Sequence, residues 1–331
     1  MLVVGPNGAG KTNLLESLHV GTQGFSPRTR SDTRLVRFGR DASRIRLRGD
    51  RAGRSLDLEV VLETGSGKRA TLNGARLPAA EQLRSEVATL VFTPDRLVLV
   101  KGAPAARRAY FDRVLGRVHP AQAGLAAEYG AAIAQRNAAL RRAAGGFSSR
   151  EAIEPWTERV AELGARLVAG RREVVELLNP LFAARAEELR LPSAQVAYEG
   201  EPPTVEQLAA QLERDLDRGT TSVGPHLDDF ALLSATRDLR AFGSQGEQRV
   251  TVLALLLAEA ELVREQRGFA PLLLLDDVLS ELDPERREIL AARIKQFGQA
   301  LVTTTSRAAL PAEPDQLVEV AATADGMSSA A

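Results

Sequence analysis

The stretch LVVGPNGAGKTNLLESL (residues 2–18) decides the fold. It begins as a short apolar strand, turns through glycines and continues as a helix with Leu14, Leu15 and Leu18 at helical spacing. Gly5 to Thr12 fit the pattern G-x-x-x-x-G-K-[ST], in which backbone N–H groups and a helix N-terminus surround phosphate oxygens. The flanking strand and helix argue against a chance match, so we expect a nucleotide-binding α/β domain.

The residue types of this loop suit a nucleoside triphosphate with its metal ion. Lys11 is expected to reach the β- and γ-phosphates, and Thr12 to hold Mg²⁺. The residues that we assign to nucleotide binding in this loop are Gly5, Pro6, Asn7, Gly8, Ala9, Gly10, Lys11, Thr12 and Asn13.

Two aspartates end the segment LLLLDD (272–277), directly after its apolar run. A buried strand would deliver Asp276 to the magnesium ion, while Asp277, one residue further, would polarise an attacking water. Strands that end in two solvated acids are common, but this one accompanies a phosphate-binding loop. Lys11, Asp276 and Asp277 are therefore the predicted catalytic residues. Most of the chain separates Lys11 from the two aspartates, whereas in a small kinase core the corresponding two segments lie close together in sequence.

Composition excludes several other classes of protein. A chain of 331 residues suffices for one large α/β domain with an insertion, or for two domains. It has no cysteine, so disulfides and Cys-based zinc sites are excluded. No apolar run is long enough for a membrane span and no signal peptide precedes the loop, so we expect a cytoplasmic protein without a membrane partner.

Positive charge is concentrated in one region although the formal net charge is zero. Ten arginines lie between residues 28 and 54, opposed by three aspartates. They are Arg28, Arg30, Arg34, Arg37, Arg40, Arg44, Arg46, Arg48, Arg51 and Arg54. We predict DNA phosphate contacts for Arg44, Arg46, Arg48, Arg51 and Arg54. The alternative is a solvated edge hairpin in an arginine-biased sequence.

Hydrophobic periodicity divides the chain into a split head and an inserted arm. The segment SLDLEVVLET (55–64), the turn GSG (65–67) and KRATLNG (68–74) predict an antiparallel hairpin. Residues 118–192 predict a helical arm subdomain between head parts 1–117 and 193–331, and the tail after residue 308 is expected to be loose. A heptad seam at Ile153, Val160, Leu167, Val174 and Leu181, with Trp156, Leu163 and Leu177 beside it, predicts a short antiparallel helical hairpin. An ordinary core helix is the alternative.

A second anion-binding device is predicted at GSQGEQR (243–249), where Ser244, Gln245 and Gly246 precede a long apolar helix. Taken alone, the segment is also an ordinary N-cap with Glu247 in the first turn. Together with the phosphate-binding loop, Asp276 and the following SELD (280–283), it resembles the signature motif and D-loop of ABC-type ATPases. The helical insertion resembles the SMC-like heads of that class, and a transporter-type L-S-G-G-Q signature is missing.

Several separate segments of the sequence resemble the RecF family. The similar segments are VFTPDRLVLVKGAPAARRAYFD (91–112), QRNAAL (135–140), TSVGPHLDDF (221–230), AFGSQGEQR (241–249) and LLLLDDVLSELD (272–283). The resemblance implies an α/β SMC-like ATPase head whose homodimer closes on ATP and Mg²⁺. It also implies that Ser244, Gln245, Gly246, Glu247 and Asp283 of one protomer face the nucleotide of the other.

The activity that this resemblance implies is recombinational gap repair and replication maintenance. The family binds duplex DNA and single-strand/double-strand junctions, hydrolyses ATP slowly with DNA stimulation, and assists RecA loading with RecO and RecR. Another SMC-like repair ATPase and a transporter ATP-binding subunit are the alternatives.

The sequence departs from the family's pattern at two places. Leu227 stands where a basic residue is expected, and the neighbouring His226 is either a ligand contact or a buried, hydrogen-bonded histidine. The family also carries, ahead of the phosphate-binding loop, a strand pair with a Phe-Arg motif near the adenine. Because this sequence starts at the loop strand, we expect that strand to have an unpaired edge.

Overall fold

The computed structural model describes residues 1–29, 31–51, 53–65, 67–322 and 328–330. Its internal contacts divide the chain into two compact units, Met1–Arg96 with Val263–Ala331, and Leu97–Leu262. These limits differ from the predicted ones at residues 117/118 and 192/193. The predicted arm does not stand alone, because its long helix packs against neighbouring helices and a strand of the second unit.

Thirteen strands are described. They are β1 (Leu2–Val4), β2 (Ala42–Arg51), β3 (Arg54–Glu63), β4 (Gly67–Leu72), β5 (Ala75–Arg76), β6 (Thr89–Phe92), β7 (Ala194–Tyr198), β8 (Phe230–Ser234), β9 (Arg237–Asp238), β10 (Leu272–Leu275), β11 (Ala300–Thr304), β12 (Leu317–Ala322) and β13 (Ser328–Ala330).

Ten α-helices occur in the same residues. They are α1 (Lys11–Gln23), α2 (Val98–Lys101), α3 (Pro104–Val118), α4 (Leu125–Ala144), α5 (Glu154–Glu188), α6 (Val205–Ala210), α7 (Leu212–Arg218), α8 (Leu239–Phe242), α9 (Gln245–Arg267) and α10 (Pro284–Phe297). Of the helices described, none is long and apolar enough to cross a membrane.

The central sheet of the first unit has the strand order β13-β12-β1-β11-β10-β6, and all of its strands except β13 run parallel. β1 is paired on both sides, because Leu2 aligns with Val302 of β11 and with Leu317 of β12. The prediction of an unpaired edge is therefore wrong, and so is that of a loose tail at residues 317–322. Val320 of this tail strand is buried against Val3 in the core.

The second sheet of this unit is antiparallel, in the order β2-β3-β4-β5. Its hairpin register pairs Leu58 with Leu72, as the alternating pattern predicted. The alternating leucines and valines of β3 are buried with Val20 of α1, which attaches the sheet to the first helix of the unit. Ser66 of the predicted turn and Arg30 lie outside the described residues.

The second unit contains the helical hairpin of α4 and α5 and a small antiparallel sheet, β7-β8-β9. Towards the end of α5, Leu178 and Phe182 are fully buried, whereas the predicted seam residues Leu177 and Leu181 are only half-buried. Trp156 is at the surface. A straight helix has 3.6 residues per turn, so its buried stripe drifts away from a seven-residue repeat. The predicted helical hairpin is present, since α4 and α5 pack together. The seven-residue repeat holds only in part. Its buried members are Ile153, Val160, Leu163, Leu167 and Val174.

Candidate functional site

The loop between β1 and α1 has the backbone that its glycines require. Gly10, which precedes α1, has φ 100°, a left-handed conformation that favours glycine. A Cβ added at Gly5 would lie 2.2 Å from the carbonyl oxygen of Val320, so the neighbouring strand β12 leaves no space for a side chain. The loop is thus shaped from both its ends, by backbone conformation at one and by packing at the other.

Positive potential converges on this loop. Lys11 is buried, and its Nζ donates to the carbonyl oxygens of Gly5 (2.8 Å) and Pro6 (3.0 Å). The start of α1 receives no side-chain cap from the residues that the structure describes. Uncapped N–H groups at a helix start attract anions, and the adjacent ammonium group adds a full charge. The arrangement suits the phosphates of a nucleotide.

Thr12 and Asp276 meet at the carboxyl end of the sheet. Thr12 Oγ1 donates to Asp276 Oδ2 at 3.0 Å. Thr12 is in α1, which follows β1, and Asp276 directly follows β10, and β11 lies between these two strands. A hydroxyl and a carboxylate oxygen at this distance fit Mg²⁺, which is usually held by one or two carboxylates together with substrate phosphates and water. The described residues contain no group of three or more His, Cys, Asp or Glu arranged to hold a metal ion. Magnesium at this position would therefore need oxygens from the nucleotide and from water.

Asp277 has an uncommon backbone conformation, with φ 49° and ψ 27°. Left-handed φ is infrequent for residues other than glycine and is enriched at functional sites. Its Oδ2 accepts a hydrogen bond from Ser280 Oγ at 2.9 Å, while its Oδ1 is buried without a partner among the described residues. One carboxylate oxygen is thus held in place and the other is available to accept a hydrogen bond from water.

The central strand β11 supplies a residue that the sequence analysis missed. Thr303 Oγ1 donates to Asp276 Oδ1 at 2.7 Å and accepts from the amide N–H of Asp277 at 3.0 Å. A single hydroxyl therefore orients both acids. The run of threonines at the end of β11 was the available signal, because parallel strands place their carboxyl ends at one edge of the sheet.

Ser244 caps α9. The N–H of Glu247 donates to Ser244 Oγ (3.2 Å), and the N–H of Ser244 donates to Glu247 Oε2 (2.7 Å). These reciprocal hydrogen bonds, together with the ion pair to Arg237, lower the pKa of Glu247. This is the capping arrangement given above as the alternative. Gln245 and Gly246 lie in the first turn of the helix, and a nucleotide contact of these residues stays a prediction.

Asp283 also lies at a helix start. Its Oδ1 accepts from the N–H of Arg286 at 2.9 Å, which caps α10, and its Oδ2 pairs with the Arg286 guanidinium. The side chain remains 47% exposed, so it is accessible to a partner.

The histidine of the segment 221–230 is hydrogen-bonded on both nitrogens. His226 Nε2 lies 3.1 Å from the carbonyl oxygen of Thr221, and Nδ1 lies 2.9 Å from the hydroxyl of Tyr129. A carbonyl can only accept, so Nε2 carries the proton and Nδ1 accepts from the tyrosine. Burial lowers the pKa of His226, which agrees with a neutral ring. The hydrogen-bonded alternative is therefore favoured, with a ring that is half-buried. Leu227 is exposed beside it.

The predicted DNA-binding arginines differ in how far their charges are neutralised. Arg46 forms a two-point ion pair with Asp57 across the hairpin (2.9 and 2.5 Å), and Arg48 also contacts this carboxylate. The hydrogen bond from Arg46 lowers the pKa of Asp57. Arg51 pairs with Glu86 at 3.2 Å.

The two remaining arginines of that prediction are unpaired. Arg44 and Arg54 are exposed and form no ion pair with any residue that the structure describes. Positive charge is therefore less concentrated on this face than the count of arginines suggested.

Comparison with known proteins agrees with this fold. The family described as the RecF/RecN/SMC N terminal domain matches residues 1–329. An Smc head domain of Pyrococcus furiosus with an extended coiled coil, bound to the C-terminal domain of ScpA, superposes with a TM-score of 0.58 at 17% identity, covering 100% of this chain and 89% of its own. At this identity the likeness shows the fold alone. The class is that of the SMC-like ABC-type ATPases.

Closer relatives define the family within that class. The DNA replication and repair protein RecF of Geobacillus thermodenitrificans (strain NG80-2) is 36% identical over 321 residues, covering 92% of this chain and 86% of the relative. The protein of the same name from Anaeromyxobacter sp. (strain Fw109-5) is 40% identical over 324 residues, with the same coverage of 92% and 86%. The chain belongs to the RecF family, and the predicted resemblance is confirmed.

Two solved structures of the recombination mediator protein RecF in the RecFOR pathway are also similar. RecF-ATP superposes with a TM-score of 0.87, covering 100% of this chain and 91% of its own, at 27% identity. RecF-ATPrS superposes with a TM-score of 0.86, covering 99% and 91%, also at 27% identity. The predicted fold class, an SMC-like head of mixed α/β structure, is thereby confirmed.

Proposed function

We propose that this protein is an ATP-gated DNA-binding ATPase of recombinational gap repair and replication maintenance. The observation that carries the proposal is the contact of Thr12 with Asp276, next to the unpartnered oxygen of Asp277, in a member of the RecF family. A nucleotide and Mg²⁺ fit these groups, and two similar solved structures are RecF-ATP and RecF-ATPrS.

The protein's own residues divide the chemistry between them. Lys11 and the N-terminus of α1 bind the β- and γ-phosphates, while Thr12 and Asp276 hold Mg²⁺, which neutralises phosphate charge when bound. Asp277 accepts a hydrogen bond from the attacking water through Oδ1. Ser280 and Thr303 keep the two acids oriented, so the water is positioned before reaction.

The second half of each nucleotide site comes from another copy of the chain. Ser244, Gln245, Gly246, Glu247 and Asp283 of one protomer face the ATP held by the other, so ATP closes the homodimer. The closed dimer binds duplex DNA and single-strand/double-strand junctions, with Arg44, Arg46, Arg48, Arg51 and Arg54 near the phosphates. Slow, DNA-stimulated hydrolysis releases it. In this pathway the dimer assists RecA loading together with RecO and RecR.

ATP hydrolysis measured with and without duplex DNA tests the activity. The wild-type chain should hydrolyse ATP slowly and faster with DNA, while Lys11→Ala should show neither ATP binding nor DNA-dependent turnover. If membrane fractions stimulate wild-type turnover and duplex DNA does not, the repair function is wrong.

Tether-linked heterodimers test the shared site. One protomer carries Lys11→Ala and the other Ser244→Arg, so one composite site has both defects and the other has none. Part of the wild-type activity should return, whereas each linked homodimer of a single variant stays inactive. Ser244→Asp is the matched variant, because aspartate preserves an N-cap acceptor for α9 but brings a negative charge towards the γ-phosphate. A silent mixed dimer beside an active linked wild type contradicts the shared site.

A further inference from the structure

An aromatic side chain stands fully in water in the segment that precedes β2. Phe38 is 102% exposed and lies within the four-residue turn Arg37–Arg40, which the N–H of Arg40 closes on the carbonyl oxygen of Arg37 (3.0 Å). Gly39 follows it with φ 77°, the left-handed conformation that the third position of a type II turn requires. The backbone thus holds the phenyl ring at the tip of a tight turn.

The base of this turn is fixed to the core. Leu35 and Val36 pack against the buried cluster beneath the antiparallel sheet, and on the other side the N–H of Thr64 donates to the carbonyl oxygen of Asp41 (2.9 Å). The neighbouring apolar side chains of Leu35 and Val36 therefore turn inward, while the apolar ring of Phe38 faces solvent. An anchored aromatic ring offers a large, flat contact surface that loses little conformational entropy on binding.

Exposed arginines lie close in sequence to the same tip. Arg34, Arg40 and Arg44 are exposed, and none of them forms an ion pair with another residue in the described part of the chain. Among the nearby acids, Asp32 lies 3.7 Å from the Lys68 ammonium group. The charges of Arg46 and Arg48, further along β2, are by contrast partly neutralised by Asp57. Arg34 and Arg40, four residues before and two residues after Phe38, and Arg44 in β2 thus keep their charges free of ion pairs within the described part of the chain.

We infer that Phe38, with Arg40 and Arg44, is a binding site for an unpaired base at a single-strand/double-strand junction of DNA. The ring stacks on the base, and the two guanidinium groups contact the flanking phosphates. Every base presents a π-face and every nucleotide a phosphate, so an exposed ring beside guanidinium groups has a partner for each of its parts in single-stranded DNA. The inference rests on the proposed DNA binding and names the DNA feature that this site reads.

Two DNA ligands separate stacking from charge contacts. The first is a junction with 2-aminopurine as its first unpaired base, and the second is a blunt duplex of equal length, both titrated in the presence of ATP and Mg²⁺. Phe38→Ala should raise the junction Kd about tenfold, the effect expected for loss of one stacked base. The duplex Kd should stay within about twofold of wild type. Binding of the wild-type protein should quench the 2-aminopurine fluorescence by stacking; Phe38→Ala should abolish this quenching, and Phe38→Trp should restore it.

Matched variants complete the experiment. Phe147 is a second exposed phenyl ring (79%) in the other unit, so Phe147→Ala should change neither Kd. The double variant Arg40→Ala with Arg44→Ala should bind both DNA ligands more weakly. For duplex DNA, the slope of log K against log salt should become shallower by about 1.8. Thermal melting and ATP binding of Phe38→Ala should equal those of wild type, because the ring is fully exposed to solvent.

The failures are distinguishable. A wild-type chain that binds neither DNA in the presence of ATP overturns the proposed function. Normal DNA binding with equal junction preference in wild type and Phe38→Ala overturns the base-stacking site alone. A Phe38→Ala protein that loses dimerisation by sedimentation, with both Kd values raised equally, identifies the tip as a contact between copies and also overturns the site.

Discussion

Replacing Arg136 by methionine should strongly destabilise the second unit, because it leaves a carboxylate buried without its counter-charge. The side chains of Arg136 and Asp215 are both 0% exposed, and Arg136 Nη1 lies 2.7 Å from Asp215 Oδ2. Arg136 also donates to the hydroxyls of Thr157 and Thr221. This network joins α4, α5 and α7 to the start of the segment 221–230.

Breaking a buried ion pair from one side costs about 3–5 kcal/mol. A domain is stable by only about 5–15 kcal/mol, so this is a large fraction of the total. With a urea dependence of roughly 2 kcal/mol per M, the midpoint of unfolding should fall by about 2 M. Combining Arg136→Met with Asp215→Leu removes both charges and should recover more than half of the loss. The stability that is not recovered reflects the N–H of Ser222, which donates to Asp215 Oδ1 in the wild type and loses this acceptor in the double variant.

Urea unfolding followed by tryptophan emission measures this effect in the correct unit. Trp156 is the only tryptophan of the chain and precedes Thr157, a partner of Arg136. The matched control is Arg150→Ala, which breaks an exposed pair with Glu213, close to Asp215 on α7, and should leave the midpoint unchanged. An Arg136→Met midpoint within about 0.5 M of wild type, or a double variant no more stable than Arg136→Met, would refute the reasoning.

Asp277→Asn should bind ATP as tightly as wild type in calorimetry. Its kcat should fall at least about a hundredfold, because the amide is a poorer acceptor for the attacking water. Normal turnover of this variant would show that Asp277 is not catalytic. Thr303→Val keeps the shape but loses the hydroxyl on both acids, so the Mg²⁺ concentration for half-maximal turnover should rise, and an unchanged requirement would contradict this. Burial lowers the pKa of His226, so below about pH 6.5 the unfolded chain takes up a proton that the folded chain does not. Stability should therefore fall as pH decreases through this range, and His226→Gln should flatten urea midpoints between pH 8 and about 5.5; identical pH profiles count against it.

Much of the ATPase head could be predicted because its signals are local. The phosphate-binding loop, its strand and its helix are adjacent in sequence, and the hairpin of β3 and β4 shows alternation over a few residues. Asp276 was found because an unbroken apolar run marks a buried strand. In each case one short segment contains both the structural element and the residue that it positions.

Long-range pairing left no such signal. β12 pairs with β1 although the two strands lie at opposite ends of the chain, and the polar residues around it suggested a loose tail. Val318 and Val320 on either side of Glu319 form a short alternating pattern, but it is too short to indicate pairing with a strand at the other end of the chain. The same contact explains Gly5, whose missing side chain leaves room for the Val320 carbonyl.

Arginine shows most clearly where sequence reasoning stops. The guanidinium group suits both a phosphate contact at the surface and a two-point ion pair in the interior, so residue type alone does not separate them. The structure buries Arg107, Arg136 and Arg171 against aspartates. At the surface, Asp57 partly neutralises the positive charge of Arg46 and Arg48 and so weakens their attraction to DNA phosphates. What decides the role of each arginine is whether the fold places a carboxylate opposite it, and this is why the unpaired Arg40 and Arg44 are the stronger candidates for phosphate contacts.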